Sequence, residues 1–155
     1  MTQEEKQLLL IDLCARLPYG VICHYDCVIP VGKRSLDKAN AKDKLKGIIP
    51  MPGGHIGFMV GIDRVDALES DIKPYLRPMS SMTEVEKKEY KSLFTEREEE
   101  YNQGCNFFYS YTLSIYDHQN IGEVVDWLNA HYFDYRGLIP MGLALEAPKD
   151  MYKTE

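Results

Sequence analysis

Val21 to Ile29 reads VICHYDCVI, and the way it alternates decides the fold. Val21, Cys23, Tyr25, Cys27 and Ile29 fall on one parity and Ile22, His24, Asp26 and Val28 on the other, the period of two that a half-buried β-strand requires. Wound as a helix, the same residues would scatter around the axis. The pattern recurs at Ile56, Phe58, Val60 and Ile62, interleaved with Gly57, Met59 and Gly61. It recurs again at Phe107, Tyr109, Tyr111, Leu113 and Ile115. Three such ribbons predict a shared sheet, antiparallel and strongly curled, with barrel-like closure as its extreme form.

Helices flank these ribbons. Thr2 with Glu5 is a capping-box pattern, and Leu9, Leu10, Leu13, Cys14 and Leu17 form the apolar stripe of a first helix that stops before Pro18. Ser81 with Glu84 and Thr83 with Glu86 are overlapping capping boxes, so a second helix starts near residue 83, with Tyr90, Leu93, Phe94, Arg97 and Tyr101 on its apolar side. Asn120 with Glu123 caps a third, buried through Ile121, Val124, Val125, Leu128 and Tyr132. Asp134 to Gly137 then reads as a stop and turn, and Leu138 to Leu145 as a short terminal strand. The expectation is an α+β chain, one domain over 1–155. Its lobes are 1–79, a helix plus curled sheet, and 83–148, a helix-strand-helix-strand unit.

Lys33 to Lys46, KRSLDKANAKDKLK, carries six basic residues against two acidic ones, in a chain whose net charge is -6. It reads as a solvated loop with a single helical turn. Gly47 to Met51 reads as an edge strand limited by Pro50, and Pro52-Gly53-Gly54 as a turn. Ile72 to Pro78, IKPYLRP, has prolines four apart and reads as an edge strand or polyproline-like strap. Composition is that of a globular protein, 45% apolar and 27% charged, with eleven tyrosines to one tryptophan. The acidic start MTQEEKQ lacks the form of a signal peptide, and no apolar run reaches the roughly 20 residues that span a bilayer. These features place the chain in the cytoplasm, without a membrane partner and with its four cysteines reduced and mostly buried.

The residues that invite chemistry are few. Cys23-His24-x-x-Cys27 suggests zinc, but on a strand Cys23 and Cys27 stand about 13 Å apart, too far to share one ion or a disulfide. No metal or cofactor is expected, and Gly53, Gly54 and Gly57 lack the context of a phosphate loop. Asp126, His131, Asp134 and Arg136 offer an acid-base cluster for a small enzyme using His131 and Asp134. No nucleophile elbow or metal-hydrolase motif accompanies them. The alternative for these residues is that Asp134 and Arg136 satisfy the turn while His131 stacks on Trp127 one turn earlier. Binding is therefore favoured over catalysis. A protein partner is expected at Tyr75, Arg77, Trp127, His131, Tyr135 and Arg136, the aromatic and arginine chemistry of interface anchors. Nucleic acid gripped by the basic 33–46 segment is the alternative.

Three passages, Leu17 to Val21 (LPYGV), Ile72 to Thr83 (IKPYLRPMSSMT) and Asp126 to Pro148 (DWLNAHYFDYRGLIPMGLALEAP), resemble a family of short uncharacterised proteins encoded by phages, prophages and related mobile elements of gut anaerobes. The resemblance implies a bacterial, cytoplasmic, mobile-element setting. It transfers no functional residue.

Overall fold

The computed structural model describes residues 1–31, 35–50, 56–61, 63–65, 72–101 and 121–152. Helix α1 (Gln3–Arg16) opens on the expected capping box, with the Thr2 hydroxyl accepting from the Glu5 amide and the Glu5 carboxylate from the Thr2 amide. Strands β1 (Ile22–Val31), β2 (Ser35–Pro50), β3 (Ile56–Val60), β4 (Asp63–Val65), β5 (Ile72–Leu76) and β6 (Leu145–Glu146) share one sheet in the order β4-β3-β2-β1-β5-β6. All neighbours are antiparallel except β5 and β6, which run parallel. The fold is α+β, as the alternation predicts, but the sheet is mixed and open. It ends at β4 and β6 and closes into no barrel. The expected strand at 107–115 lies outside the described residues.

The basic segment is where the sequence misleads most. Residues 35–46 belong to β2, pairing with β1 from Val31↔Ser35 down to Ile22↔Lys44, and are not a loop. Lysine is a poor strand former in isolation. Here the strong alternation of β1 imposes extended geometry on its neighbour, and Ala41 and Leu45 pack inward while Lys42 and Lys44 stay in water. Beyond a bulge at Leu45/Gly47, β2 changes partner and pairs with β3 as far as Pro50↔Ile56. Along Gly47 to Pro50 β3 is the paired neighbour, a setting that tolerates proline. Gly61 closes the following turn at φ 62°, its amide donating to Lys44 O at 2.9 Å, and a Cβ there would collide with the Asp43 carboxylate.

β5 is not the expected edge. It lies between β1, through Cys23↔Pro74 and His24↔Lys73, and β6, through Tyr75↔Leu145. Helix α2 (Glu84–Tyr101) starts from the Thr83/Glu86 capping box, the second of the two overlapping patterns. Helix α3 occupies 121–130 and stops earlier than its apolar period suggests. Phe133 N donates to Leu128 O and Tyr132 N to Asn129 O, the bond pair of a Schellman terminus, with Tyr132 at φ 61° where glycine is usual. The expected strand at Leu138 to Leu145 shrinks to Leu145–Glu146. Asp134 takes the amides of Leu138 and Ile139 on its two carboxylate oxygens, and Leu143 N returns to Leu138 O, so the chain doubles back.

The main core joins Leu9 and Leu13 of α1, Val21, Cys23, Tyr25, Leu45, Phe58, Val60, Ile72 and Leu76 of the sheet region, and Leu138, Leu143 and Ala144 of the tail. A second cluster gathers Met82, Val124, Leu128 and Phe133. The buried residues of α1 are Leu9, Asp12, Leu13 and Arg16, so its stripe is rotated from the expected one and Cys14 is exposed rather than buried. No helix among the described residues is long and apolar enough to cross a membrane.

Candidate functional site

The six residues expected to form a partner surface are mostly turned toward one another. Phe133 is fully buried, and five of the six assemble around it or directly follow it in the chain. Its ring stacks on Trp127 at 5.7 Å, and Trp127 stacks on His131 at 4.0 Å. The Arg77 guanidinium covers Phe133 at 4.4 Å from the ring centroid and grips both oxygens of Glu86, at 2.6 and 2.9 Å. Arg77 also holds the turn through its backbone, since Arg77 N donates to Tyr132 O and Asp134 N to Arg77 O. That engagement holds the Glu86 carboxyl down at about 2, through the Arg77 bond first and the Thr83 bonds after it. Arg77 thus clamps β5 to α2 and the Phe133 turn, leaving little of its guanidinium for a partner.

His131 and Asp134 are committed to separate tasks. The His131 ring lies on Trp127, and its Nδ1 donates to Trp127 O at 2.8 Å. Asp134 is buried, with its oxygens on the two backbone amides of the turn. For Asp134 and His131 this is the structural alternative read from the sequence, whereas Arg136, expected to satisfy the turn, reaches Asp12 of α1 instead. The buried thiol of Cys23 is pushed up to about 12 by burial first and the nearby Asp12 charge second, a poor nucleophile at neutral pH. Among the described residues no three His, Cys, Asp or Glu side chains converge as metal ligands would.

On the other side of the Phe133 turn lies a charged cluster that the sequence reading missed. Asp12 and Arg16, both fully buried, form a bidentate pair at 2.7 and 3.1 Å, and Arg16 Nη2 also donates to Phe133 O at 2.8 Å. Arg136 Nε comes within 3.3 Å of the same carboxylate. Both guanidiniums also approach the Tyr135 ring, Arg16 at 5.5 Å and Arg136 at 4.9 Å from its centroid, and the Tyr135 hydroxyl donates to buried Asn129. One signal was available: Leu9, Asp12, Leu13 and Arg16 fall at i, i+3, i+4 and i+7, a single helical face.

Tyr75 stands apart, on the outer face of the sheet. It meets His24 edge-on at 6.5 Å, and cross-strand register sets Lys42, His24 and Lys73 side by side on β2, β1 and β5. Next to this row is an open groove of about 520 Å³ lined by Ile22, Lys42, Asp43 and Lys44 and by the tail turn Pro148, Lys149, Asp150 and Met151. Tyr152 fastens that tail. Its hydroxyl donates to Tyr75 O at 2.8 Å and accepts from Ile22 N at 3.1 Å, and its ring stacks on Tyr132 at 3.7 Å. Burial raises the Tyr152 hydroxyl above its ordinary range, so it stays a donor at physiological pH. Comparison of the chain with protein families, curated proteins and solved structures finds no match. Any functional reading therefore rests on this geometry. Ile22, Pro148 and Met151 line the groove with apolar side chains, and Lys42, Lys44, Lys149, Asp43 and Asp150 give it charges of both signs.

Proposed function

We propose that this chain is a non-catalytic, cytoplasmic protein-interaction module of a phage or mobile element, and that its partner seats in the groove between β2 and the tail turn. The observation that carries the reading is the composition of that groove, apolar side chains together with charges of both signs, the mixed chemistry of a protein interface. The aspartates among the lysines favour a polypeptide over a phosphate backbone, because Asp43 and Asp150 would repel a polyanion. Of the six residues expected at a partner surface, Tyr75 lies closest to this region through its bond from Tyr152.

The test is site-specific crosslinking. A photoreactive residue at Lys42 or Met151 should yield a discrete protein adduct in lysogenic cells, and one at exposed Val85 on α2 should not. Equal adducts at all three positions, or none at the groove, would refute the reading. A second reading, nucleic acid on the outer face, is favoured by the Lys42-His24-Lys73 row. It requires oligonucleotide binding that weakens steeply with salt.

A further inference from the structure

We propose that Arg16 and Arg136 form a binding site for a small oxyanion, a carboxylate or phosphate group. The cluster around Asp12 holds two guanidiniums and one carboxylate, so its formal charge is positive although Asp12 and Arg16 are wholly buried. Its donors outnumber its acceptors in the same way. Asp12 takes two bonds from Arg16, and Phe133 O takes a third. Arg16 Nη1 and Arg136 Nε are buried and lack any hydrogen-bond partner among the described residues. Arg136 Nε stands 3.3 Å from Asp12, close enough for ion pairing but without hydrogen-bond geometry. Buried guanidinium donors in native proteins are nearly always matched, and an excess charge out of water needs a counter-charge.

The ligand class follows from the donors. Paired guanidiniums present forks of N–H groups that fit the oxygens of carboxylate or phosphate, whereas chloride uses none of that geometry. Access is from the Arg136 side, since its side chain is 24% exposed while Arg16 is at 0%. The ligand would be held by Arg136 at the surface and by the orphaned Nη1 of Arg16 behind it.

The experiment is thermal melting of the full chain at fixed ionic strength, with chloride replaced stepwise by inorganic phosphate and, in parallel, by acetate. A site that binds only the native state should raise Tm by about 3–5 °C for each tenfold step in the bound anion beyond its dissociation constant. Arg136→Gln should abolish the rise, and Lys149→Gln in the groove should leave it intact. If Arg136→Gln does not fold, Arg136→Lys keeps the charge without the fork and should lose most of the rise. A flat Tm in both anions, a rise retained by either Arg136 variant, or a rise lost with Lys149→Gln would overturn the site. A response to phosphate alone or to acetate alone supports it and tells a tetrahedral ligand from a planar one.

Discussion

Replacing Asp12 by alanine tests how the α1 helix is held. The carboxylate accepts two bonds from Arg16, lies 3.3 Å from Arg136, and is fully buried. Removing it leaves one guanidinium wholly inside the protein and a second beside it, neither with another counter-charge among the described residues. Breaking a buried pair on one side costs about 3–5 kcal/mol, against a stability of about 5–15 kcal/mol for a domain. The expected drop in Tm is about 6–20 °C. Urea denaturation followed by circular dichroism, in a chloride buffer free of phosphate and carboxylates, measures the loss. The double variant Asp12→Leu/Arg16→Met removes both charges at similar volume and should be more stable than Asp12→Ala, despite losing the bond to Phe133 O. A single-variant cost below about 1 kcal/mol, the value of an exposed ion pair, would refute the argument. So would a double variant less stable than the single.

Tyr152→Phe removes the hydroxyl shared by Ile22 N and Tyr75 O, and should cost about 1–3 kcal/mol in a denaturant titration while leaving the ring stack on Tyr132 in place. Glu86 has a carboxyl lowered from its ordinary 4.5 to about 2, so the stability it contributes is full above about 4.5 and drains away as pH falls toward 2. Glu86→Gln should flatten that part of a Tm-against-pH curve, and a curve of unchanged shape would contradict the Arg77 clamp. Peptide-resolved alkylation at neutral pH should label exposed Cys14 in the native protein and Cys23 only after unfolding.

The strands were legible where one face is greasy and the other is not, as at Val21 to Ile29 and Ile56 to Val60. The capping boxes were legible at Thr2 and Thr83, because a cap is a local bond between residues three apart. Ser35 to Lys46, the described part of the basic segment, was misread for a physical reason. Its extended form comes from a partner strand and not from its own side chains, so no window within the segment contains the signal. The end of α3 was misplaced because Tyr132 takes a left-handed conformation that propensity reserves for glycine. It is held there by its ring against Tyr152 and its hydroxyl on Tyr19 O. The candidate surface divided along the same line. Aromatic and arginine density marked Arg77 and Trp127 as important without saying that both face buried Phe133, which was not singled out. The groove depends on a tail turn meeting β2, a contact between residues about a hundred positions apart.

The parallel pairing of β6 with β5 has a consequence for the order in which this chain acquires its shape. One flank of β5 meets β1, some fifty residues earlier. The other flank waits for Leu145, for Ala147, whose amide donates to Leu76 O, and for the hydroxyl of Tyr152. During synthesis the Tyr75 and Leu76 carbonyls remain without these late partners until residues 145–152 have left the ribosome, and a bare strand flank invites pairing with another nascent chain. Deletion of residues 145–152 should therefore show first as poor yield from inclusion-prone expression, before any change in what the folded protein recognises.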